Sequence, residues 1–384
     1  MKRILFLSNS SGGLYNFRKE LIEEMINLGF EVFISTPKGN LLDLLQEIGA
    51  KYIEIPIDRR GMNPVSDMKL MLNYRQIIKK VNPDIVLTYT IKPNIYGSIA
   101  SRLAKKPYLN NITGLGSAFI KPNPLRSILI IMYKIAFKNS RMVFFQNTDN
   151  LEYMLGKRNI TGPYRLIPGS GVNLDRFKYN PYPEDSDIIV FNFIGRVMKD
   201  KGIDEYLTAA RAIRQKYPAT RFNIIGSVES SQSYYEKIIS EHEKEGSIKY
   251  LGYQMEIEPF LIYSHCIIHP SRGGEGMSNV LLETAATGRC LIASDIPGCR
   301  DIIDDGINGF TFQAGNADDL IATVEKFLHL THEKKVEMGK RSREKVEREF
   351  DRRIVTNSYL EAIDEILRTD KLGLTSATEL IQEG

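Results

Sequence analysis

Short apolar runs alternate along this chain with longer stretches in which apolar positions recur at helical spacing. In the first half, Arg3–Ser8, Glu31–Thr36, Tyr52–Ile55, Ile85–Tyr89, Tyr108–Ile112 and Met142–Gln146 predict strands. Between them, Tyr15–Leu28, Leu41–Ile48, Met68–Lys80, Tyr96–Lys105 and Leu125–Lys138 predict helices. A turn-rich stretch follows, crowded with Pro168, Gly169, Gly171, Asn173, Asn180, Pro181 and Pro183. The alternation then restarts with strands Ile188–Ile194, Arg221–Ile225, Ile248–Leu251, Cys266–His269, Cys290–Ser294 and Gly309–Phe312. Helices are predicted at Ile203–Lys216, 233–244, 256–263 and Asn279–Thr287, and charged helices close the chain. Repeated strand–helix units require a mostly parallel sheet covered on both faces. The predicted class is therefore α/β, with two Rossmann-like domains facing across a cleft. They span residues 1–172 and 188–350, joined by a linker at 173–187; a last helix and tail, 351–384, can pack back on the first domain. Ligands of such sheets sit at the carboxyl ends of the strands.

A chain of 384 residues with 42% hydrophobic and 26% charged residues has enough apolar surface for two cores. Its three cysteines, Cys266, Cys290 and Cys299, form no C-x-x-C, which argues against a disulfide framework and for a reducing compartment. His265, Cys266 and His269 lie in an apolar run that reads as a buried strand, so no metal site is expected there. Ile4–Leu7 is too short for the core of a signal peptide, and Ile128–Phe137 is too short to cross a bilayer. The expected location is the cytoplasm. Charge is divided unevenly. Residues 1–174 hold 24 Lys and Arg against 12 Asp and Glu, whereas the rest hold 27 against 35. A basic first half implies an anionic partner. No nucleic-acid module accompanies it, so nucleic acid is not expected.

Three segments carry candidate chemistry. Ser8–Gly13 (SNSSGG) follows the first strand, where small residues let backbone approach a ligand; Gly13 is the candidate contact. It is not G-x-G-x-x-G, and Pro37 and Lys38, not an acid, follow the second strand, which disfavours a nicotinamide dinucleotide. Gly195–Gly202 (GRVMKDKG) follows a strand too. Gly195 permits a sharp exit, and Arg196 and Lys201 stand where a diphosphate would lie. The third is EGMSNVLLE, with Glu275 and Glu283 eight residues apart. Glycines surround the first, and a helix begins near Met277–Asn279, whose free N–H groups and dipole suit a phosphate. Glu283 then lies roughly 6–8 Å along the helix at ~1.5 Å per residue. That offset suits one carboxylate on ribose hydroxyls and the other on a sugar beyond the diphosphate.

These residues resemble the retaining glycosyltransferases of family 4, which have the GT-B fold. The likeness extends over PDIVLTYTIKPNIYG (83–97), NITGLGSAF (111–119), VFFQN (143–147), PGSGVNLDRF (168–177), GSIKYLGY (246–253) and SDIPGCRDII (294–303). These segments are similar to bacterial members that build capsule, O-antigen or glycoprotein glycans on a polyprenyl-diphosphate lipid. The resemblance implies that Arg196 and Lys201 bind the donor diphosphate and that Glu275 meets the donor sugar. It also implies that Gly276, Met277, Ser278, Asn279 and Val280 line the helix start, that Glu283 holds the ribose, and that Gly252 and Tyr253 flank the base. It implies a nucleotide sugar, by preference a UDP-sugar, as co-substrate and no metal or other cofactor, because two cations and a helix terminus do the charge work.

Many family members carry a His in the segment matching Thr88–Lys92, but every one of the five His residues here lies in the second half. The resemblance therefore implies a front-face mechanism in which the departing diphosphate takes the acceptor proton, with Lys92 and Thr113 on the acceptor side. The expected reaction moves a hexose or N-acetylhexosamine to a lipid-linked saccharide acceptor. A UDP-N-acetylhexosamine 2-epimerase of the same fold and a non-enzymatic sugar-binding protein are the alternatives. Residues 124–141 are apolar, with Arg126, Lys134, Lys138 and Arg141 among them and Lys105, Lys106 and Lys121 nearby in sequence. The stretch reads either as a buried crossover helix or as a peripheral contact with anionic lipid on the cytoplasmic face of a membrane.

Overall fold

A computed structural model describes residues 1–59, 61, 63–119, 124–184 and 188–371; Lys121, linker residues 185–187 and the tail beyond 371 lie outside the described residues. The chain divides into two compact units. Unit 1 takes in residues 1–115, 122–170 and 353 onward; unit 2 takes in 116–121 and 171–352, described residues in each case.

Unit 1 runs β1 (Arg3–Leu7), α1 (Ser11–Asn27), β2 (Glu31–Thr36), α2 (Leu42–Glu47), β3 (Lys51–Glu54), α3 (Pro64–Val81), β4 (Ile85–Tyr89), α4 (Ser98–Leu103), β5 (Tyr108–Ile112), α5 (Pro124–Phe137), β6 (Met142–Phe145), α6 (Thr148–Gly156) and β7 (Tyr164–Leu166). Its strands form one parallel sheet in the order β3-β2-β1-β4-β5-β6-β7. Alternation of side chains along each strand splits the core in two. Ile4, Phe6, Ile34 and Leu87 pack with Leu21 and Ile22 of α1. Leu5, Leu7 and Val86 pack on the other face with Leu70, Tyr74 and Ile78 of α3.

Unit 2 runs β8 (Ile189–Ile194), α7 (Ile203–Lys216), β9 (Thr220–Ile225), α8 (Tyr235–Lys244), β10 (Lys249–Tyr250), α9 (Glu258–Ile262), β11 (Cys266–His269), α10 (Asn279–Ala286), β12 (Cys290–Ser294), β13 (Gly309–Phe312), α11 (Ala317–Leu328) and α12 (His332–Glu349). Its parallel sheet has the order β10-β9-β8-β11-β12-β13. Phe191, Ile268 and Ile292 face Ile203 and Leu207 of α7 and Leu320 and Phe327 of α11. Ile267, Leu291 and Ala293 face Leu281 and Leu282 of α10.

The last helix, α13 (Arg352–Lys371), belongs to unit 1. Tyr359 and Ile363 complete the core beside α1, the Tyr359 hydroxyl donates to Asn111 Oδ1, and Arg165 pairs with Glu361 at 3.0 Å. Both sheets reverse strand order beside their first strand, between β1 and β4 and between β8 and β11. A crevice opens at such a point, at the carboxyl ends of the strands.

Three local features differ from the sequence pattern. The periodicity starts α1 at Tyr15, but the helix starts at Ser11, because Ser10 Oγ accepts from the Gly13 N–H at 3.1 Å and caps it there. Gly13 is thus in the first helical turn, not on a loop. Secondly, the helix expected from Tyr96 is preceded by a π-helical turn, Pro93–Gly97, entered through Thr90 at φ 72°. Thirdly, α6 and β7 stand where no element is predicted. α6 is announced only by its cap, Asn147 Oδ1 accepting from the Asn150 N–H at 2.8 Å.

Candidate active site

The site of unit 2 is built from two loops at the β8/β11 reversal. β8 is followed directly by Gly195, whose φ of 154° no side chain adopts readily. The chain then turns through Lys199–Lys201 to Gly202, at φ 74°. A Cβ on Gly202 would fall 1.8 Å from the Pro270 carbonyl oxygen, so glycine is what lets this loop lie against the end of β11. Two hydrogen bonds stitch the loops together. The Arg272 N–H donates to the Asp200 carbonyl at 2.9 Å, and Ser271 Oγ reaches the same oxygen at 3.5 Å. The Arg272 guanidinium also grips Glu205, a buried residue in the first turn of α7.

Across this seam Lys201 Nζ donates to Glu275 Oε1. The same oxygen accepts from Ser271 Oγ at 2.8 Å, and His269 Nε2 stands 3.8 Å away. Burial pushes the Glu275 carboxyl up, but Lys201 and His269 more than offset it, and the group is held well below the usual carboxylate range. Glu275 is therefore ionised at any physiological pH.

Beyond Glu275 the chain enters α10. Ser278 is its N-cap, and the Ser278 N–H is already taken by the Gly298 carbonyl at 2.9 Å. This revises the expectation that Ser278 offers its N–H to a ligand. Helix geometry leaves the N–H groups of Asn279 and Val280, the first two helical residues, without an acceptor within the helix. Asn279 Oδ1 is shielded from solvent and makes no hydrogen bond. Met277 is buried and packs into the core, and Gly276 lies against Gly298, where a Cβ would meet its carbonyl oxygen at 2.3 Å. Glu283 follows one turn into α10. Burial pushes its carboxyl up to about 7, against the opposing fields of Arg352 and Arg176.

The other expected residues are distributed as follows. Arg196 is half exposed and pairs with Glu229 at 2.7 Å, not with the Lys201–Glu275 pair. Gly252 follows β10 at φ 66°, its carbonyl accepting from the Gly226 N–H at 2.8 Å, and Tyr253 is exposed. Gly13, Lys92 and Thr113 belong to unit 1. The Gly13 N–H is spent on Ser10, which removes it as a free donor to a ligand. Lys92 is committed to Asp67 at 2.6 Å, an acid that also accepts from the Tyr96 hydroxyl at 2.9 Å, so its charge is balanced within the fold. Thr113 directly follows β5. His269, Ser271, Arg176 and Arg352 were not legible as site residues. His269 and Ser271 carried one usable signal, their position at the carboxyl end of a strand. Arg176 and Arg352 are brought to Glu283 by tertiary folding alone.

An ionised carboxylate bridged to a lysine, beside a helix N-terminus at the switch point of one of two parallel α/β sheets, fits the class of GT-B glycosyltransferases. Residues 175–345 match glycosyl transferases group 1, and residues 3–147 match the glycosyl transferase 4-like family. Together these take in most of the chain, and it belongs to these glycosyltransferases. It is similar, at 27% identity over 95% of this chain and 99% of the relative, to the N,N'-diacetylbacillosaminyl-diphospho-undecaprenol alpha-1,3-N-acetylgalactosaminyltransferase of Campylobacter jejuni. It is 25% identical, over 88% of this chain and 90% of the other, to the UDP-Gal:alpha-D-GlcNAc-diphosphoundecaprenol alpha-1,3-galactosyltransferase of Escherichia coli. The fold is shared with Anabaena HepE, solved with UDP and glucose, at a TM-score of 0.78 and 17% identity, covering 95% of this chain and all of that one.

Proposed function

We propose that this hexosyltransferase moves a hexose or N-acetylhexosamine from a UDP-sugar, with retention of configuration, to a saccharide carried on a polyprenyl diphosphate. The observation that carries the reading is the Lys201–Glu275 pair across the β8/β11 reversal, next to the start of α10. The lipid diphosphates named for both relatives support the choice of acceptor, and the UDP-Gal named for the second supports the choice of donor.

In this reading the donor diphosphate lies between Lys201, the Asn279 and Val280 N–H groups and Arg196. Arg196, whose side chain is half exposed, reaches it by exchanging Glu229 for the diphosphate. These positive groups stabilise the negative charge that grows on the departing UDP, and no metal is needed for that. Glu275 orients the sugar near its reacting carbon and favours positive charge there. Glu283 accepts from the ribose hydroxyls. With no histidine in unit 1, the departing diphosphate oxygen takes the proton of the acceptor hydroxyl as the new bond forms on the same face.

A lipid-borne acceptor calls for work at a membrane surface. Among the described residues no helix is long and apolar enough to cross one. The exposed face of α5, with Ile128, Ile131 and Ile135 beside Lys134 and Lys138, supports peripheral contact with the cytoplasmic leaflet instead.

The test is a panel of UDP- and GDP-sugars incubated with a polyprenyl-diphosphate-linked saccharide, following nucleotide release and the lipid-linked product. One UDP-sugar is expected to extend the lipid-linked glycan. Nucleotide release without extension, or preference for a GDP-sugar, would overturn the respective part of the reading.

A further inference from the structure

We propose that His269 is a positioning residue for the reaction, fixing the Glu275 carboxylate and the start of α10 relative to each other. The proposal rests on the reading of Glu275 as the group that meets the donor sugar.

His269 is the last residue of β11 and is buried. By strand alternation it shares the face of Ile267, which packs in an apolar cluster with Met277, Leu281, Leu282 and Cys299. An imidazole in such surroundings is costly unless it is hydrogen-bonded. Its Nε2 meets two polar groups there, Ser278 Oγ at 3.3 Å and Glu275 Oε1 at 3.8 Å. The two belong to different parts of the site. Ser278 caps α10, whose first N–H groups face the diphosphate in the reading above, whereas Glu275 belongs to the glycine-rich loop and the sugar. One ring nitrogen thus stands between the sugar-binding loop and the phosphate-binding helix terminus, hydrogen-bonded to Ser278 and within 3.8 Å of Glu275, on the end of a central strand.

The ring also restricts Glu275. Lys201, Ser271 and His269 all lie against the same oxygen, Oε1. Gly273 and Gly274, at φ 138° and 80°, give the backbone before Glu275 little stiffness of its own. Side-chain anchors must therefore supply the rigidity. A carboxylate misplaced by about 1 Å costs on the order of a hundredfold in rate. Ser278 keeps its cap on the Leu281 N–H without the ring, so the start of α10 still offers its N–H groups to the diphosphate, and a loosened Glu275 carboxylate should depress turnover of the sugar far more than affinity for the nucleotide.

The experiment compares His269→Leu and His269→Gln with wild type and Glu275→Ala, measuring kcat and KM with the UDP-sugar and Kd for UDP alone. Leucine keeps the bulk and removes the polar contact; glutamine puts a side-chain N–H close to where Nε2 stands. The expected result is a kcat lowered roughly 10- to 100-fold in His269→Leu, a UDP Kd within about twofold of wild type, and substantial recovery in His269→Gln. Wild-type kcat in His269→Leu, or equal loss of kcat and UDP binding in both variants, would overturn the proposal. If the leucine variant does not fold, His269→Asn, too short to reach Glu275, takes its place with the same expectation. Full turnover by Glu275→Ala would instead defeat the reading of Glu275, and loss there with none in His269→Leu would defeat the role of His269 alone.

Discussion

Glu275 and Glu283 are eight residues apart, yet their surroundings drive them in opposite directions. Glu275 has a lysine and an imidazole against it and stays ionised. Glu283 has two arginines at longer range, insufficient to offset its burial, and titrates near 7. Spacing alone makes the two look equivalent; only the folded chain separates them. The raised value has a stability consequence of definite sign. Between the ordinary carboxylate range and 7 the folded form holds a proton that the unfolded chain has lost, so stability falls as pH rises through that window. A shift of this size corresponds to something on the order of 3 kcal/mol, fully expressed above pH 7. Glu283→Gln should therefore raise the denaturation midpoint at pH 8 and leave it nearly unchanged at pH 4. If Glu283 grips the ribose, the same variant should bind a UDP-sugar roughly 10- to 100-fold more weakly at pH 8. Wild-type affinity should rise between pH 6 and 8, and that of the variant should stay flat. Calorimetric titrations at three pH values decide this; parallel profiles for the two proteins would remove Glu283 from the ribose.

At the scale of elements, the central strands were legible because both faces of each sheet are covered, which makes β1, β4, β8, β11 and β12 short continuous apolar runs. Helix starts set by one hydrogen bond were less so. Ser10 extends α1 by a turn, and Asn147 starts α6, through contacts that periodicity does not encode. α5 posed the opposite difficulty, since an apolar crossover helix and a membrane-facing one share a composition. Exposure separates two faces of α5. Leu129, Tyr133, Ala136 and Phe137 are buried, while Ile128, Ile131 and Ile135 are 54%, 61% and 46% exposed. Residues 85–148 carry nine Lys or Arg and not one Asp or Glu, so nothing acidic in that stretch opposes an anionic surface. Each lysine near such a surface contributes about 1 kcal/mol. Each isoleucine adds a fraction of the ~1.5–3 kcal/mol available on full burial. If this face meets a membrane as proposed, their sum predicts reversible binding, weakened by salt. Wild type should co-sediment with vesicles containing anionic phospholipid, and Lys134→Glu with Lys138→Glu should abolish that. Sedimentation indifferent to lipid charge and to salt would exclude this face as the contact.

For the whole molecule, the fold class followed from the alternation of strands and helices. The proposed donor side could be read from the sequence because its residues lie in two short contiguous segments, GRVMKDKG and EGMSNVLLE. The interactions around these residues were hidden, because they join residues far apart in the chain: the bond of Lys201 to Glu275, and the longer-range fields of Arg352 and Arg176 at Glu283. The basic character of the first half is visible from composition, but its chemistry is spread over many loops, and Lys92 proves to be bound to Asp67. The central claim is that the Lys201–Glu275 pair is where the donor reacts. The most direct test is kcat for UDP-sugar turnover with acceptor present, in wild type, Lys201→Ala and Glu275→Ala, each checked for folding by its thermal transition. The expected result is a loss of about 100- to 1,000-fold or more in each variant, the size associated with removing one group that stabilises charge in the transition state. Folded variants that turn over at the wild-type rate would contradict it.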